Sequence, residues 1–266
     1  MRVYILADME GVGGVVTQSQ TFSGESGYEQ AREWLTLDVN AAVQGAIEGG
    51  ATEILVLDSH GANTNRNLRW DLLHEGAKYI QGSPRKDYVH LIDESFDALL
   101  QVGMHAMAGT PGAVLEHTMS SAAWVEMRVN GKPMGEIGLI AAVAGVFGVP
   151  FVMVSGDDKA CAEAQGICPD VECAIVKDGI SRQAAVLKPP QEVHNLIRDR
   201  ACAGVQNAKS IEPFTVDSPT EIEVRYFRND VYEGIRERDG VRKLPPQTAV
   251  YSGKTIIEAW RRIWGG

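Results

Sequence analysis

Several features that mark common protein classes are scarce or missing in this 266-residue chain. Its four cysteines, Cys161, Cys168, Cys173 and Cys202, include no C-x-x-C pair, so neither a zinc knuckle nor a thioredoxin-type redox pair is indicated. Reduced thiols in a cytosolic protein are expected instead. No run approaches the roughly 18 consecutive apolar residues of a membrane span, and no membrane partner is expected. The chain opens directly on a strand-like segment, without the basic, apolar and small-residue parts of an export signal, which makes a cytoplasmic location the expectation. Basic residues are outnumbered, with 25 Lys and Arg against 35 Asp and Glu and a formal charge of −10. That balance argues against nucleic acid, whose binding rests on cations that neutralise phosphates. A Walker loop, a G-x-S-x-G elbow and an H-E-x-x-H pair are all missing. Gly11-Val12-Gly13-Gly14 follows a strand, but Val16 stands where a dinucleotide fingerprint requires glycine.

What is present is an alternation of strand-like and helix-like segments over about two hundred residues, the pattern of an α/β layer fold. Val3 to Ala7 and Ile54 to Leu57 are continuous apolar runs, and Ala98 to Val102 is apolar but for Gln101, as expected for strands buried on both faces of a parallel sheet. A helix is expected from Tyr28 to Glu48, stopped by Gly49-Gly50, and another after Pro189-Pro190. Asp157 is placed to cap a helix running to about Gln165. Val125, Met127 and Val129 alternate with polar residues up to Asn130-Gly131, a dipeptide suited to a type I′ hairpin. Beyond Gln206 the character changes: Ile222, Val224 and Tyr226 alternate, and Ile257, Trp260, Ile263 and Trp264 form the apolar stripe of a last helix. The expected architecture is a three-layer αβα fold with a mostly parallel sheet plus a smaller C-terminal α+β portion. Residues 1–210 are expected to form an α/β metal-binding catalytic domain and 211–266 a C-terminal α+β subdomain, with an approximate boundary.

Candidate chemistry gathers where the strands end. In open α/β sheets, ligands bind beyond the carboxyl ends of the strands, and there the chain places Asp8-Met9-Glu10, Asp58-Ser59-His60 and His105. With Glu136, these supply the carboxylates and imidazoles that zinc, manganese or iron enzymes use. Asp8 and Glu10, two apart, share a side if the chain stays extended. Asp58 is placed to accept from the ring of His60. His117, a dozen residues after His105, is a candidate general acid or base, since imidazole exchanges protons near neutral pH. Each residue alone has a bland reading: acidic strand ends cap helices, histidines after strands lie on surfaces, and Glu136 at a helix start suits the helix dipole. Their convergence on one sheet edge argues for a shared site.

The motifs Asp8-Met9-Glu10-Gly11, Asp58-Ser59-His60, Gly103-Met104-His105-Ala106, Glu116-His117-Thr118-Met119, Gly135-Glu136-Ile137-Gly138-Leu139 and Gly156-Asp157-Asp158 occur in one order. In that order and spacing the chain resembles the zinc-dependent D-aminopeptidases, peptidase family M55, through about residue 185. The resemblance implies two Zn2+ per subunit, other divalent metals also suiting such ligands. Asp8 would bridge them, Glu10 and His60 would complete one site, and His105 and Glu136 the other. It makes His117 the catalytic histidine, as nucleophile, acid/base or charge stabiliser. It also implies a small peptide substrate with an N-terminal D-residue and a homodecamer. Glu116 directly before His117 departs from the pattern, and residues beyond about 206 match poorly. The alternatives are a broader metallo-amidohydrolase and a non-catalytic peptide-binding component of a dipeptide transporter.

Overall fold

The computed structural model describes residues 1–62, 66–85 and 87–265. In chain order the first half comprises β1 (Arg2–Ala7), α1 (Tyr28–Glu48), β2 (Glu53–Asp58), β3 (Lys78–Ile80), β4 (Ala98–Met104), β5 (Trp124–Val129), β6 (Lys132–Pro133) and α2 (Glu136–Gly145). The second half comprises β7 (Phe151–Asp157), α3 (Asp158–Ile167), β8 (Glu172–Ser181), β9 (Ala184–Leu187), α4 (Pro190–Asn207), β10 (Thr220–Tyr226), α5 (Asn229–Gly234), β11 (Val241–Leu244), β12 (Thr248–Gly253) and α6 (Ile256–Ile263).

Seven strands in the order β3-β2-β1-β4-β7-β8-β9 form the main sheet, parallel except for β9 at its edge. Because side chains alternate along a strand, β1 feeds two cores. Val3, Ile5 and Ala7 pack with Leu35, Val39 and Val43 of α1 and with Ile197 and Ala201 of α4. Tyr4 and Leu6 join the opposite core with Ile137 and Ile140 of α2 and residues of a second sheet. Every residue of α2 is buried, which explains why this helix is apolar all round. The α/β class with helices on both faces of a mostly parallel sheet is thus observed.

The second sheet is antiparallel, in the order β11-β12-β10-β5-β6. It draws β5 and β6 from before residue 210 and β10 to β12 from after it, so the antiparallel portion is not confined to 211–266. Asn130 and Gly131 both take positive φ, 48° and 76°, as a type I′ turn requires. The expected alternation in β5 is broken at Val125. The register slips there, Arg225 opposing Glu126 and Tyr226 opposing Trp124, and Trp124 rather than Val125 enters the core. The stripe expected on the last helix is also shifted, since Ile256, Ala259 and Trp260 are the buried residues of α6 and Trp264, past its end, is 65 % exposed.

Candidate metal centre

The chain winds outward from β1 in both directions, with β2 on one side and β4 on the other. This is a topological switch point, where a crevice opens at the carboxyl edge. Adjacent strands lie about 4.8 Å apart, so groups that follow β2, β1 and β4 are within reach of one another. Two glycines let the segments after β1 and β4 cross. A Cβ on Gly11 would lie 1.9 Å from the Met104 carbonyl oxygen, and one on Gly103, which has φ +74°, would lie 2.1 Å from that of Asp8. Hydrogen bonds from Asp8 N to Val102 O and from Gly11 N to Gly103 O, both 2.8 Å, seal the crossing.

Six buried or half-buried side chains meet above it. His60 Nδ1 is 3.1 Å from Asp8 Oδ1 and 3.3 Å from Glu10 Oε2. His105 Nε2 is 3.4 Å from Asp8 Oδ2 and 3.3 Å from Glu136 Oε1, and His117 Nε2 is 3.8 Å from that same Glu136 oxygen. The two oxygens of Asp8 therefore face different histidines. The rings of His105 and His117 stack, with centroids 4.0 Å apart.

Each ring is oriented by a backbone carbonyl on its far nitrogen. His60 Nε2 pairs with Thr21 O at 2.7 Å, His105 Nδ1 with Ala106 O at 3.0 Å, and His117 Nδ1 with Leu115 O at 2.9 Å. With one ring nitrogen turned to a backbone carbonyl, the other faces the carboxylates, the arrangement of metal-ligating histidines. Asp58 does not serve His60 in this way. Its carboxylate accepts from Asn67 Nδ2 and from the backbone N–H groups of Asn67 and Leu68, because the chain after His60 folds back over it. Asn67 Nδ2 also donates to the His60 carbonyl, so Asp58 acts on the backbone of His60 rather than on its ring.

Charge in the cluster shows what it is built to hold. Burial and the neighbouring Glu10 raise the pKa of Asp8. Burial also opposes charge on His105, yet Glu136 and Asp8 lift it to about 10. Against burial, His105 holds Glu136 down to about 2. Protons on the imidazoles thus compensate the carboxylates, a load that a cation displaces on binding. Two sets of three donor atoms, Asp8/Glu10/His60 and His105/His117/Glu136, each lie within 4.8 Å of one another. Glu10 Oε2 and His105 Nε2 are buried and make no properly angled hydrogen bond, as expected of atoms aimed at a common centre. The residues therefore fit divalent metal.

Residues to which the sequence pattern gave no part in the site hold this arrangement. Lys177 on β8, wholly buried, donates to the carbonyls of Glu10, Val12 and Val15 at 2.7, 2.9 and 2.5 Å. Its signal was a lysine ending the apolar run Ala174-Ile-Val. Asp157 caps α3 and also accepts from Val114 N at 2.7 Å, tying the His117 segment to the sheet. In that segment Leu115 and Met119 have φ of 52° and 60°, positions where side chains strain the backbone. Arg182 clamps it, donating to the carbonyl of Glu116 and pairing with the Glu116 carboxylate. Glu136 Oε2 accepts from the half-buried Tyr88 hydroxyl at 2.9 Å, and its Oε1 from Met119 N at 2.7 Å. A cavity of about 420 Å³ opens over Asp8, Glu10, His60, His117 and Glu136.

Carboxylates and imidazoles gathered at the switch point of a parallel sheet define an α/β metalloprotein with a substrate-sized cavity over its metal donors. The chain belongs to the M55 peptidases, the D-aminopeptidase family, whose model it matches over residues 1–264. The match continues past residue 206, where the motif resemblance faded. It is 33 % identical to the D-aminopeptidase of Bacillus subtilis strain 168 over 265 residues, 99 % of this chain and 95 % of that protein. Its fold matches the solved Zn-dependent D-aminopeptidase DppA from Bacillus subtilis, a self-compartmentalizing protease, with a TM-score of 0.94 and 32 % identity. That match covers 99 % of this chain and 96 % of the other.

Proposed function

We propose that this protein is a zinc-dependent aminopeptidase that removes a D-amino acid from the free amino end of short peptides. The observation that carries the reading is the pair of donor sets that meet at Asp8, one carboxylate oxygen toward His60 and the other toward His105. In this reading Asp8, Glu10, His60, His105 and Glu136 would hold two zinc ions, with Asp8 shared. Zinc bound there supplies Lewis-acid polarisation of the scissile carbonyl and activates water at neutral pH.

The chain's own groups account for positioning and proton transfer. His117 is 16 % exposed at its side chain and lines the cavity. With Nδ1–H held by Leu115 O, its Nε2 can take a proton during attack on the carbonyl and return it to the leaving amine. Arg182 and Asp157 hold the segment that presents the ring. Tyr88 and Met119 N fix both oxygens of Glu136.

No helix among the described residues is long and apolar enough to cross a membrane, and the four cysteines are unpaired, which supports a reducing, cytoplasmic setting. Trp70, Phe227 and Trp264 are 84, 71 and 65 % exposed. Such apolar surface supports a homo-oligomer, and a decamer is the assembly we propose.

The test compares D- and L-alanyl dipeptides and p-nitroanilides on metal-quantified protein, before and after chelation. The expected outcome is hydrolysis of the D-substrates only, lost on chelation and restored by zinc. Equal rates on both enantiomers would remove the D-specific reading, and chelator-resistant hydrolysis would remove the metal.

A further inference from the structure

Among the described residues two Arg side chains line the cavity, Arg85 and Arg182, and their situations differ. Arg182 is committed to Glu116, through both its carbonyl and its carboxylate. Arg85 donates one Nη1–H to the backbone carbonyl of Asp58 at 2.6 Å and has no carboxylate within ion-pair distance among the described residues. It is half-buried, so its charge is poorly served by solvent. A guanidinium presents a planar fork of donors, and among the described residues only its Nη1 is engaged.

Arg85 also stands where the catalytic cavity meets a neighbouring hollow of about 560 Å³. The two share Arg85, Tyr88 and Met119, and Trp260 and Trp264 line the second. In that hollow the other cation, Arg261, is paired with Asp87 at 2.6 Å. One anchored, uncompensated guanidinium thus lies between the acidic metal donors and an aromatic wall.

We propose that Arg85 is a specificity-determining residue that recognises the free carboxylate at the carboxyl end of the substrate. This rests on the aminopeptidase reading above. A short peptide fits the cavity with its amino end toward the metal donors and its carboxylate toward Arg85. The side chain of its last residue faces Trp260 and Trp264. Because both ends are read within one small cavity, the site selects short free peptides over amides and long chains. Anchoring Nη1 on the Asp58 carbonyl fixes the fork two residues from His60, so carboxylate and scissile bond are registered against the same strand end.

The experiment measures kcat/KM for D-alanyl-D-alanine and for its carboxamide, on wild type, Arg85→Met and Arg85→Lys. Wild type should prefer the acid by about tenfold to a hundredfold, the range of a hydrogen-bonded charge, mainly through KM. In Arg85→Met the acid-over-amide ratio should fall to about one, and Arg85→Lys should recover part of it. A wild type indifferent to the carboxamide overturns the proposal. So do losses in Arg85→Met that are equal on acid and amide, which would leave Arg85 only its bond to the Asp58 carbonyl. Calorimetric binding of the same two peptides to chelated wild type and Arg85→Met gives the answer without turnover. If no D-peptide is hydrolysed, the aminopeptidase reading fails, while an acid preference in binding that vanishes with Arg85 still upholds the carboxylate site.

Discussion

Replacing Lys177 by Met keeps the length and apolar stem of the side chain and removes only its ammonium, which makes it a sharp probe of how the loop after β1 is held. The ammonium satisfies three buried carbonyls, those of Glu10, Val12 and Val15. Burial pushes its pKa down to about 8, against the pull of Asp157, Asp38 and Glu10, so it remains charged at pH 7 and keeps three donors for three acceptors. The Val12 carbonyl also accepts from Val15 N, so the substitution orphans two buried carbonyls, at roughly 1–3 kcal/mol each and roughly 2–6 kcal/mol together. Relief of the buried charge returns several kcal/mol. The net expected loss is about 2 kcal/mol, or a fall in Tm of roughly 4–8 °C for a chain of this size. Because the freed backbone includes Glu10, zinc affinity should also fall, by about tenfold or more. Differential scanning calorimetry of the metal-free proteins and competitive zinc titration measure the two effects separately. A variant with Tm within about 2 °C of wild type and unchanged zinc affinity would refute the view that Lys177 braces the donor loop.

Two further outcomes follow from the same geometry. His117→Ala should keep bound zinc near the wild-type level while slowing hydrolysis by about 10²–10⁴-fold; loss of zinc in parallel would make His117 a ligand, and full activity would remove its role. Burial pushes the Glu163 carboxyl up to about 7, although the Met107 N–H opposes this. A carboxyl whose folded pKa is raised stabilises the fold fully below its unfolded value of 4.5 and loses that contribution as pH rises through about 7. The swing is on the order of 3 kcal/mol, and Glu163→Gln should flatten it. Parallel pH profiles of Tm for the two proteins would contradict the assignment.

Much of this site is legible in the sequence because it is built from strand ends. An apolar run that stops at Asp8, at Asp58 or before His105 announces both a buried parallel strand and the residue left at its carboxyl edge. What was not legible depends on partners far away in the chain. Lys177 reaches carbonyls 162 to 167 residues away, and nothing local to β8 shows where its Nζ points. Asp58 sits at the spacing of a ring partner, yet the fold-back at Asn67 claims its carboxylate. The second sheet pairs β5 with β10, across about a hundred residues, and the bulge at Val125 exists only in that pairing. Periodicity carried the last apolar stripe on to Trp264, one residue beyond the end of α6, where the helical phase no longer applies.

Metal stoichiometry with and without Asp8 tests the central claim most directly. Elemental analysis of the dialysed protein should find two zinc ions per chain, and Asp8→Asn, which keeps the side-chain volume, should weaken both together and abolish hydrolysis of D-alanyl peptides. One metal ion per wild-type chain, or an Asp8→Asn protein that retains both, would contradict a centre built around a shared Asp8.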